Sequence, residues 1–396
     1  MKKETSKYGV LLGVVLLLMV TLQARATVAQ TGVNILADEV LVRYPLLINF
    51  QLEAEAPGTE ITDVRLMWQA GPEDAFNVTR MSFQPAERVA IQYPLNVQFL
   101  RLPPFATVSY RWELRTADGE LFTTEVRSFE YEDSRKDWQV LENERIRLLW
   151  YDLSLDTAED LFDLADAAYQ RLAADFGVEL THRPKIVIYS DQRDFTEFQS
   201  MMGNVEFVVG RYFPGHNITV NLVTPEIPRR LYADTLAHEL SHLYSDNFYV
   251  GFASLPLWLE EGLATYNERE DLSEELRRVQ HAAEQGFLIP FIELPDAIRD
   301  RDISVSNLAY AEGATIFMFI RDRWGQAHIV KFLEAFRQTT DVNRVLQDIF
   351  GQSMAEFEIA WREWLGFPVE SVPELQPTAT LRPLIFPTPT YGFPGG

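Results

Sequence analysis

The chain contains no cysteine among its 396 residues. Disulfide bonds, thiolate zinc sites and thiol nucleophiles are therefore excluded, so a metal site here must use His, Asp or Glu. Basic residues are also few, since 35 Lys and Arg stand against 58 Asp and Glu, for a net charge of −23. Because nucleic-acid binding needs a basic surface, we predict that nucleic acid is not a partner.

The N-terminal apolar run is too short for a membrane-spanning helix, which needs roughly 20 residues. Lysines within residues 2–7 precede the apolar residues 10–22, and Ala-Arg-Ala at residues 24–26 has the form of a cleavage site. We predict a signal peptide over residues 1–26 and hence a secreted or cell-envelope protein. An uncleaved N-terminal membrane anchor is the alternative.

The first domain is predicted to be all-β. Residues 34–131 hold five or more segments that alternate apolar with polar positions and are separated by turn signals such as Pro-Gly. This pattern predicts an antiparallel β-sandwich of the immunoglobulin or fibronectin kind over residues 27–132. We interpret Trp68 and Trp112 as core aromatics of this sandwich.

The second domain is predicted to be α+β from the order of its strand-like and helical segments. Within residues 133–256, strand-like runs alternate with a helix that ends at Gly177, and a strand over 216–223 precedes a further helix. Such a strand at the edge of a sheet would be able to pair with an extended peptide. His216, which begins this strand, is interpreted as a turn residue.

The rest of the chain is predicted to form a helical subdomain over residues 257–367 and a proline-rich, disordered tail over 368–396. Its helices are predicted at residues 257–267, 272–285, 307–324, 326–338, 341–350 and 353–365.

The stretch LAHELSHLY, residues 236–244, indicates a metal site. His238 and His242 lie on one face of a helix, with Cβ atoms roughly 5–6 Å apart, so both imidazoles can bind one ion. Glu239 is turned about 100° around the axis, where it can reach a water on the open side of the metal. The alternative is a surface helix with incidental histidines, so a third ligand has to decide.

The next predicted helix offers that ligand in the stretch LPLWLEEGLATY. Glu260 and Glu261 lie among apolar residues, where a carboxylate is costly unless it is paired or metal-bound. Gly262 weakens the helix by about 1 kcal/mol relative to Ala, and we expect it to allow close approach to the first helix. This favours Glu261 as the ligand, with Glu260 facing solvent or supporting the site from behind.

The two motifs resemble the gluzincin branch of the zinc metallopeptidases, and especially the bacterial peptidase MA-like family, over residues 138–367. In that family an HExxH helix is followed by a WLxEG helix. The resemblance implies that His238, His242 and Glu261 bind one Zn²⁺ per chain. It also implies that Glu239 activates water as the general base.

The resemblance extends less clearly to the supporting residues. Tyr310 is the candidate for a tyrosine that stabilises the oxyanion, the alternative being a tyrosine that only packs its ring. Thermolysin-type relatives orient a ligand histidine with an aspartate where this chain has Thr265. Asp234 and Asp246 are candidate replacements, although we expect both to be exposed. The acidic residues 267–276 are interpreted as a solvated helix start.

Together these features predict a secreted zinc peptidase that acts on peptide or protein substrates. One alternative is a non-catalytic envelope protein that uses the sandwich for binding and keeps the second domain as a scaffold. The intact Glu239 counts against it, because a purely structural metal site needs no base. Another alternative is a zinc hydrolase of non-peptide bonds, which would share the same ligands.

Overall fold

The computed structural model describes residues 32–71, 75–203, 209–213, 215–246 and 255–372. The predicted signal peptide and most of the predicted tail lie outside these residues.

The N-terminal region folds into two antiparallel sheets, as predicted. A three-stranded sheet has the order β1-β2-β5, and the second sheet has the order β4-β3-β6-β7, with β8 paired to β6. Their strands are β1 (Asn34–Arg43), β2 (Leu47–Glu55), β3 (Ile61–Ala70), β4 (Asn77–Arg80), β5 (Arg88–Asn96), β6 (Ala106–Thr116), β7 (Leu121–Thr123) and β8 (Arg127–Tyr131).

Alternation along these strands produces the core between the sheets. Every second residue of β2 is buried, and the ring of Phe50 lies 5.1 Å from that of Tyr110 on the other sheet. Trp112 is fully buried and donates a hydrogen bond to Asp38, while Trp68 is 7% exposed. The interpretation of both tryptophans as core residues is therefore confirmed. The immunoglobulin or fibronectin assignment stays a prediction.

The second domain is built on a five-stranded mixed sheet with the order β12-β13-β11-β10-β9. Strand β13 pairs in parallel with β11, and β11 in parallel with β10, while both outer strands are antiparallel to their neighbours. The strands are β9 (Gln139–Glu142), β10 (Arg147–Trp150), β11 (Lys185–Tyr189), β12 (Gly210–Phe213) and β13 (Ile218–Leu222).

A strand forms within the predicted range 216–223, but the suggestion that it lies at the edge of the sheet is wrong. Its ordered part is β13, which lies inside the sheet between β12 and β11 and is buried along its whole length. The edge strand next to β13 is β12, and a turn that contains His216 joins the two. With only four residues, β12 is too short to show a period in the sequence.

The two faces of this mixed sheet are covered by different partners. Helix α1 (Leu155–Phe176) lies on one face, and Gly177 ends it with a φ of 69°, as predicted. The other face, which includes Leu149, Val187 and Val220, belongs to the same hydrophobic cluster as the N-terminal sheets. Helix α2 (Gln192–Met201), which was not predicted, also packs on this side.

The remaining helices follow the predicted order with small shifts, apart from a four-residue helix over Leu294–Ala297 that was not predicted. The longest begins four residues before the predicted start, because Asp302 caps it by accepting from the Ser304 N–H. The described helices are α3 (Arg229–Asp246), α4 (Leu257–Tyr266), α5 (Ser273–Glu284), α6 (Leu294–Ala297), α7 (Ile303–Trp324), α8 (Gln326–Ala335), α9 (Val342–Phe350) and α10 (Met354–Leu365).

Helix α7 is the central helix of this subdomain. By length and composition it is apolar enough to cross a membrane, yet 61% of its apolar window is buried inside the fold. It packs closely on α4, because a Cβ on Gly262 would lie 2.6 Å from the Cα of Gly313. The prediction that Gly262 brings α4 close to α3 is therefore wrong. Gly262 is turned about 100° from Glu261, so it faces α7 when Glu261 faces α3.

Candidate metal centre

Helices α3 and α4 bring two imidazoles and a carboxylate to one point. One ligand atom from each of His238, His242 and Glu261 lies within 4.8 Å of the others. The Glu261 Oε2 atom is 3.2 Å from Nε2 of His238 and 3.6 Å from Nε2 of His242. We call these three residues the metal cluster. They are the trio predicted from the two motifs.

The chemistry of these donors fits zinc. Imidazole nitrogen and carboxylate oxygen are ordinary Zn²⁺ ligands, and three protein ligands leave a coordination position open, as in catalytic sites. Both histidines direct Nε2 towards the shared carboxylate and Nδ1 towards other carboxylates. This division of ring nitrogens is typical of metal-binding histidines.

The cluster is electrostatically coupled. Burial lowers the pKa of both imidazoles, but the neighbouring carboxylates outweigh it, raising the pKa of His242 to about 9 and that of His238 well above its usual value. Burial opposes ionisation of Glu261, yet the two histidines hold its pKa well below the ordinary range. A metal cation bound by the two imidazoles would compete with protons for the same nitrogen lone pairs.

Glu239 lies beside the cluster and is 7% exposed. A Cβ added to Gly210 would lie 2.6 Å from its Oε1 atom, so strand β12 runs directly against this side chain. The backbone of Tyr212 donates a hydrogen bond to the carboxylate. Burial raises the pKa of Glu239, which strengthens it as a base.

Glu260 does not face solvent, which corrects the first of the two placements that the sequence left open. It is buried, accepts a hydrogen bond from the Tyr212 hydroxyl, and lies 3.5 Å from Nδ1 of His242. The Tyr212 ring also stacks on the His242 ring, with centroids 4.4 Å apart and planes 16° apart. The sequence did not indicate Tyr212, since its strand is short and lies far from the motif.

Glu268 is a second supporting carboxylate that the sequence did not reveal. Its Oε1 atom is 3.1 Å from Nδ1 of His238. The interpretation of residues 267–276 as a solvated helix start is wrong here, because Glu268 reaches the cluster and Glu275 is buried. The available signal was spacing, since Glu268 follows Glu261 by two helical turns and so lies on the same side.

The two aspartates expected to be exposed are in fact partly buried. Asp234 forms an ion pair with Arg269 at 2.9 Å, and no contact between Asp234 and a ligand histidine is found among the described residues. Asp246 lies near Glu260 and His242, and burial together with the Glu260 charge raises the pKa of Asp246 to about 7. Both expectations were wrong because helix α3, which carries the two aspartates, packs against the rest of the protein on more than one side.

The cluster opens into a cleft of about 560 Å³. Tyr310 lies on its wall, with its ring 6.4 Å from that of His238 and 26° from parallel. His216 is not among the residues that line the cleft. The lining residues are Val209, Gly210, Arg211, Tyr212, Leu231, Asp234, Thr235, His238, Glu239, His242, Glu261, Glu268, Arg269 and Tyr310.

The family model of the Peptidase MA superfamily matches residues 164–366, which is just over half of the 396-residue chain. The chain therefore belongs to the Peptidase MA superfamily, and the resemblance predicted from the two motifs is confirmed. The match begins inside α1, later than the predicted start at residue 138.

Among solved structures, an aminopeptidase N family protein from Idiomarina loihiensis is similar over 78% of this chain and 72% of its own. The two chains are 11% identical, with a TM-score of 0.38. A similarity of this size carries no argument about activity. None of the curated proteins matches this chain.

Proposed function

We propose that this protein is an exported, zinc-dependent peptidase of the gluzincin type. The observation that carries the proposal is the convergence of His238, His242 and Glu261 within 4.8 Å beside the buried Glu239. A purely structural site would need the three ligands but no base. Membership of the Peptidase MA superfamily supports peptide hydrolysis over other reactions.

In the proposed reaction, the zinc ion would activate the water and the carbonyl group, and the protein's own residues would transfer the proton. Zinc held by the metal cluster would polarise a carbonyl and lower the pKa of bound water to about 7. Glu239 would accept a proton from the attacking water and later deliver it to the leaving amine. Its backbone bond to Tyr212 and its contact with Gly210 hold it in one orientation for both transfers.

The substrate is proposed to lie along β12. The Leu222 N–H donates to the Val209 carbonyl, and bonded pairs alternate in an antiparallel ladder. The backbone groups of Gly210 and Tyr212 therefore point away from β13 and towards the cleft. Because Glu239 takes the Tyr212 N–H, the groups left for pairing with an extended peptide are the Gly210 N–H and carbonyl and the Tyr212 carbonyl.

Tyr310 and the terminal segments complete the proposal. The Tyr310 hydroxyl would donate to the oxyanion that forms during attack on the carbonyl. Residues 1–26 would direct export. Residues 27–132 would form an immunoglobulin-like module ahead of the parts at 133–256 and 257–367, with a disordered tail over 368–396.

The experiment is to express residues 27–396 and compare the wild type with Glu239→Gln for zinc content and casein cleavage. We expect one zinc per chain in both proteins and hydrolysis in the wild type alone, because glutamine keeps the shape but cannot accept the proton. A wild-type protein that carries zinc yet cleaves no peptide would contradict the peptidase proposal.

A further inference from the structure

The two histidines of the metal cluster are held in different ways. His242 is 3% exposed at its side chain and stacks on Tyr212, while its Nδ1 atom lies 3.5 Å from Glu260 without forming a hydrogen bond. His238 is instead held by a hydrogen bond from Nδ1 to Glu268 at 3.1 Å. The orientation of His238 therefore depends on where Glu268 is placed.

Glu268 is fixed in turn by Arg269. The Nη2 atom of Arg269 lies 3.0 Å from Glu268 and 2.9 Å from Asp234, so one guanidinium nitrogen joins the turn after α4 to helix α3. The other Nη atom lies 3.5 Å from Glu275 and 3.6 Å from Glu274. The side chains of Arg269, Glu268 and Asp234 are 21%, 17% and 15% exposed, so the contacts among these three are only weakly screened by solvent.

We propose that Glu268, held by Arg269, is the positioning residue for the zinc ligand His238. This rests on the proposed function, since it assumes that the metal cluster binds zinc. With the Nδ1 proton donated to Glu268, the Nε2 lone pair is directed at the site shared with Glu261. The carboxylate also makes the imidazole a stronger ligand.

The position of Glu268 explains how Thr265 can stand where thermolysin-type relatives place an aspartate. The Thr265 hydroxyl is buried and has no hydrogen-bond partner among the described residues, so it does not orient a ligand. Glu268 lies one turn further along, just beyond the end of α4, and reaches back to His238. Glutamate has a longer side chain than aspartate, so Glu268 can contact the ligand histidine from one turn beyond the position of Thr265.

The test measures metal binding, so it does not require a known substrate. Residues 27–396 would be prepared without metal as wild type, Glu268→Gln, Arg269→Lys and Glu270→Gln. Glu270 is the matched control, because it is an exposed glutamate in the same turn. Zinc affinity would be measured by competition with a chromophoric chelator at fixed pH, and ligand geometry by the visible spectrum of the Co²⁺ form.

We expect Glu268→Gln to weaken zinc binding about 10- to 100-fold and to alter the Co²⁺ spectrum, whereas Glu270→Gln changes neither. Arg269→Lys keeps the charge but loses the two-sided contact, so we expect a smaller loss with an altered spectrum. An unchanged zinc affinity and spectrum in Glu268→Gln would overturn the proposal. If that variant does not fold, unchanged binding by Arg269→Lys overturns it instead.

The same experiment separates this inference from the proposed function. A wild type that binds neither zinc nor Co²⁺ at one ion per chain overturns the proposed metal site and this inference with it. A wild type that binds both while all variants match it overturns only the role of Glu268.

Discussion

At the scale of single residues, Gly210 is the tightest contact of the proposed base. A Cβ at this position would lie 2.6 Å from both Glu239 Oε1 and Thr235 Cγ2. The Glu239 carboxylate has little space to move into, because Glu239 is buried and also bonded to the backbone of Tyr212. The strand therefore tolerates only glycine here while Glu239 keeps its position.

Gly210→Ala is expected to displace the Glu239 carboxylate by about 1 Å and to lower kcat about 100-fold, since small misplacements of a catalytic group have effects of this size. Zinc content should stay at one per chain, because the metal cluster is not touched. Gly32→Ala is the control, since a Cβ there meets nothing within 4 Å. Full activity in Gly210→Ala would contradict the proposed contact.

Tyr310→Phe tests the proposed oxyanion donor. Removal of one such donor lowers kcat by roughly 100- to 1,000-fold, whereas loss of a ring that only packs would leave kcat unchanged in the phenylalanine variant. We expect the lower kcat with little change in KM and in zinc content. Steady-state kinetics on casein-derived peptides make the distinction, and wild-type kcat would assign Tyr310 to packing alone.

The members of the metal cluster were predictable because each one could be recognised from its neighbours within one or two helical turns. His238 and His242 share a face by spacing alone, and Glu261 stands out as an acid among apolar neighbours. Tyr212 was not predictable, because it meets His242 from a strand 30 residues earlier. Glu268 was missed because an acidic turn is usually solvated, and only the fold brings this one back to His238.

At the scale of elements, the packing of α4 on α7 determines where Glu261 lies. The absence of side chains at Gly262 and Gly313 lets the two backbones come into contact. A Cβ added to Gly313 would also lie 2.9 Å from the carbonyl oxygen of Trp258. Helix α4 presents Glu261 to α3 from a side about 100° around its axis from Gly262. The distance between α4 and α7 therefore affects the distance between Glu261 and the histidines.

Gly313→Ala is expected to push α4 away from α7. The added methyl group would lie 2.7 Å from Gly262 Cα, and overpacking of this kind costs about 1–3 kcal/mol. We expect a lower Tm and weaker zinc binding in the same variant. Thermal unfolding with and without zinc measures both, and an unchanged Tm would contradict the close approach of the two helices.

Long elements with a clear periodicity were predicted well, whereas α2 and the shortest elements were not. Helix α1 and its end at Gly177 follow from periodicity and a glycine cap. Strand β12 and helix α6 each have four residues, which is less than any pattern needs. The prediction that Gly262 faces α3 was wrong for a different reason. The sequence of one chain does not determine which of two neighbouring helices a glycine faces.

At the scale of the whole molecule, the N-terminal sheets pack against the second domain and share a hydrophobic core with it. Their hydrophobic cluster continues into one face of the mixed sheet. Glu130 at the end of the first region binds both Arg147, at 2.6 Å, and Lys185, at 2.7 Å. The ring of Phe105 packs edge-on against Trp138 at 5.0 Å. The sequence indicated two pattern types but not that they share a core.

Removal of residues 27–132 is therefore expected to leave an insoluble or unfolded remainder. Exposing even four large apolar side chains of the mixed sheet costs about 6–12 kcal/mol, at roughly 1.5–3 kcal/mol each. That approaches the total stability of about 5–15 kcal/mol of a typical domain. Circular dichroism and gel filtration of residues 133–396 test this, and a folded, soluble monomer would contradict the shared core.

The most direct test of the metal cluster is the zinc content of Glu261→Gln, compared with that of the wild type and of Glu260→Gln. Elemental analysis after dialysis should find one zinc per chain in the wild type and in Glu260→Gln, because Glu260 only supports His242 from behind. It should find almost none in Glu261→Gln, which lacks the anionic third ligand. Zinc retained by Glu261→Gln, or absent from the wild type, would contradict the metal cluster.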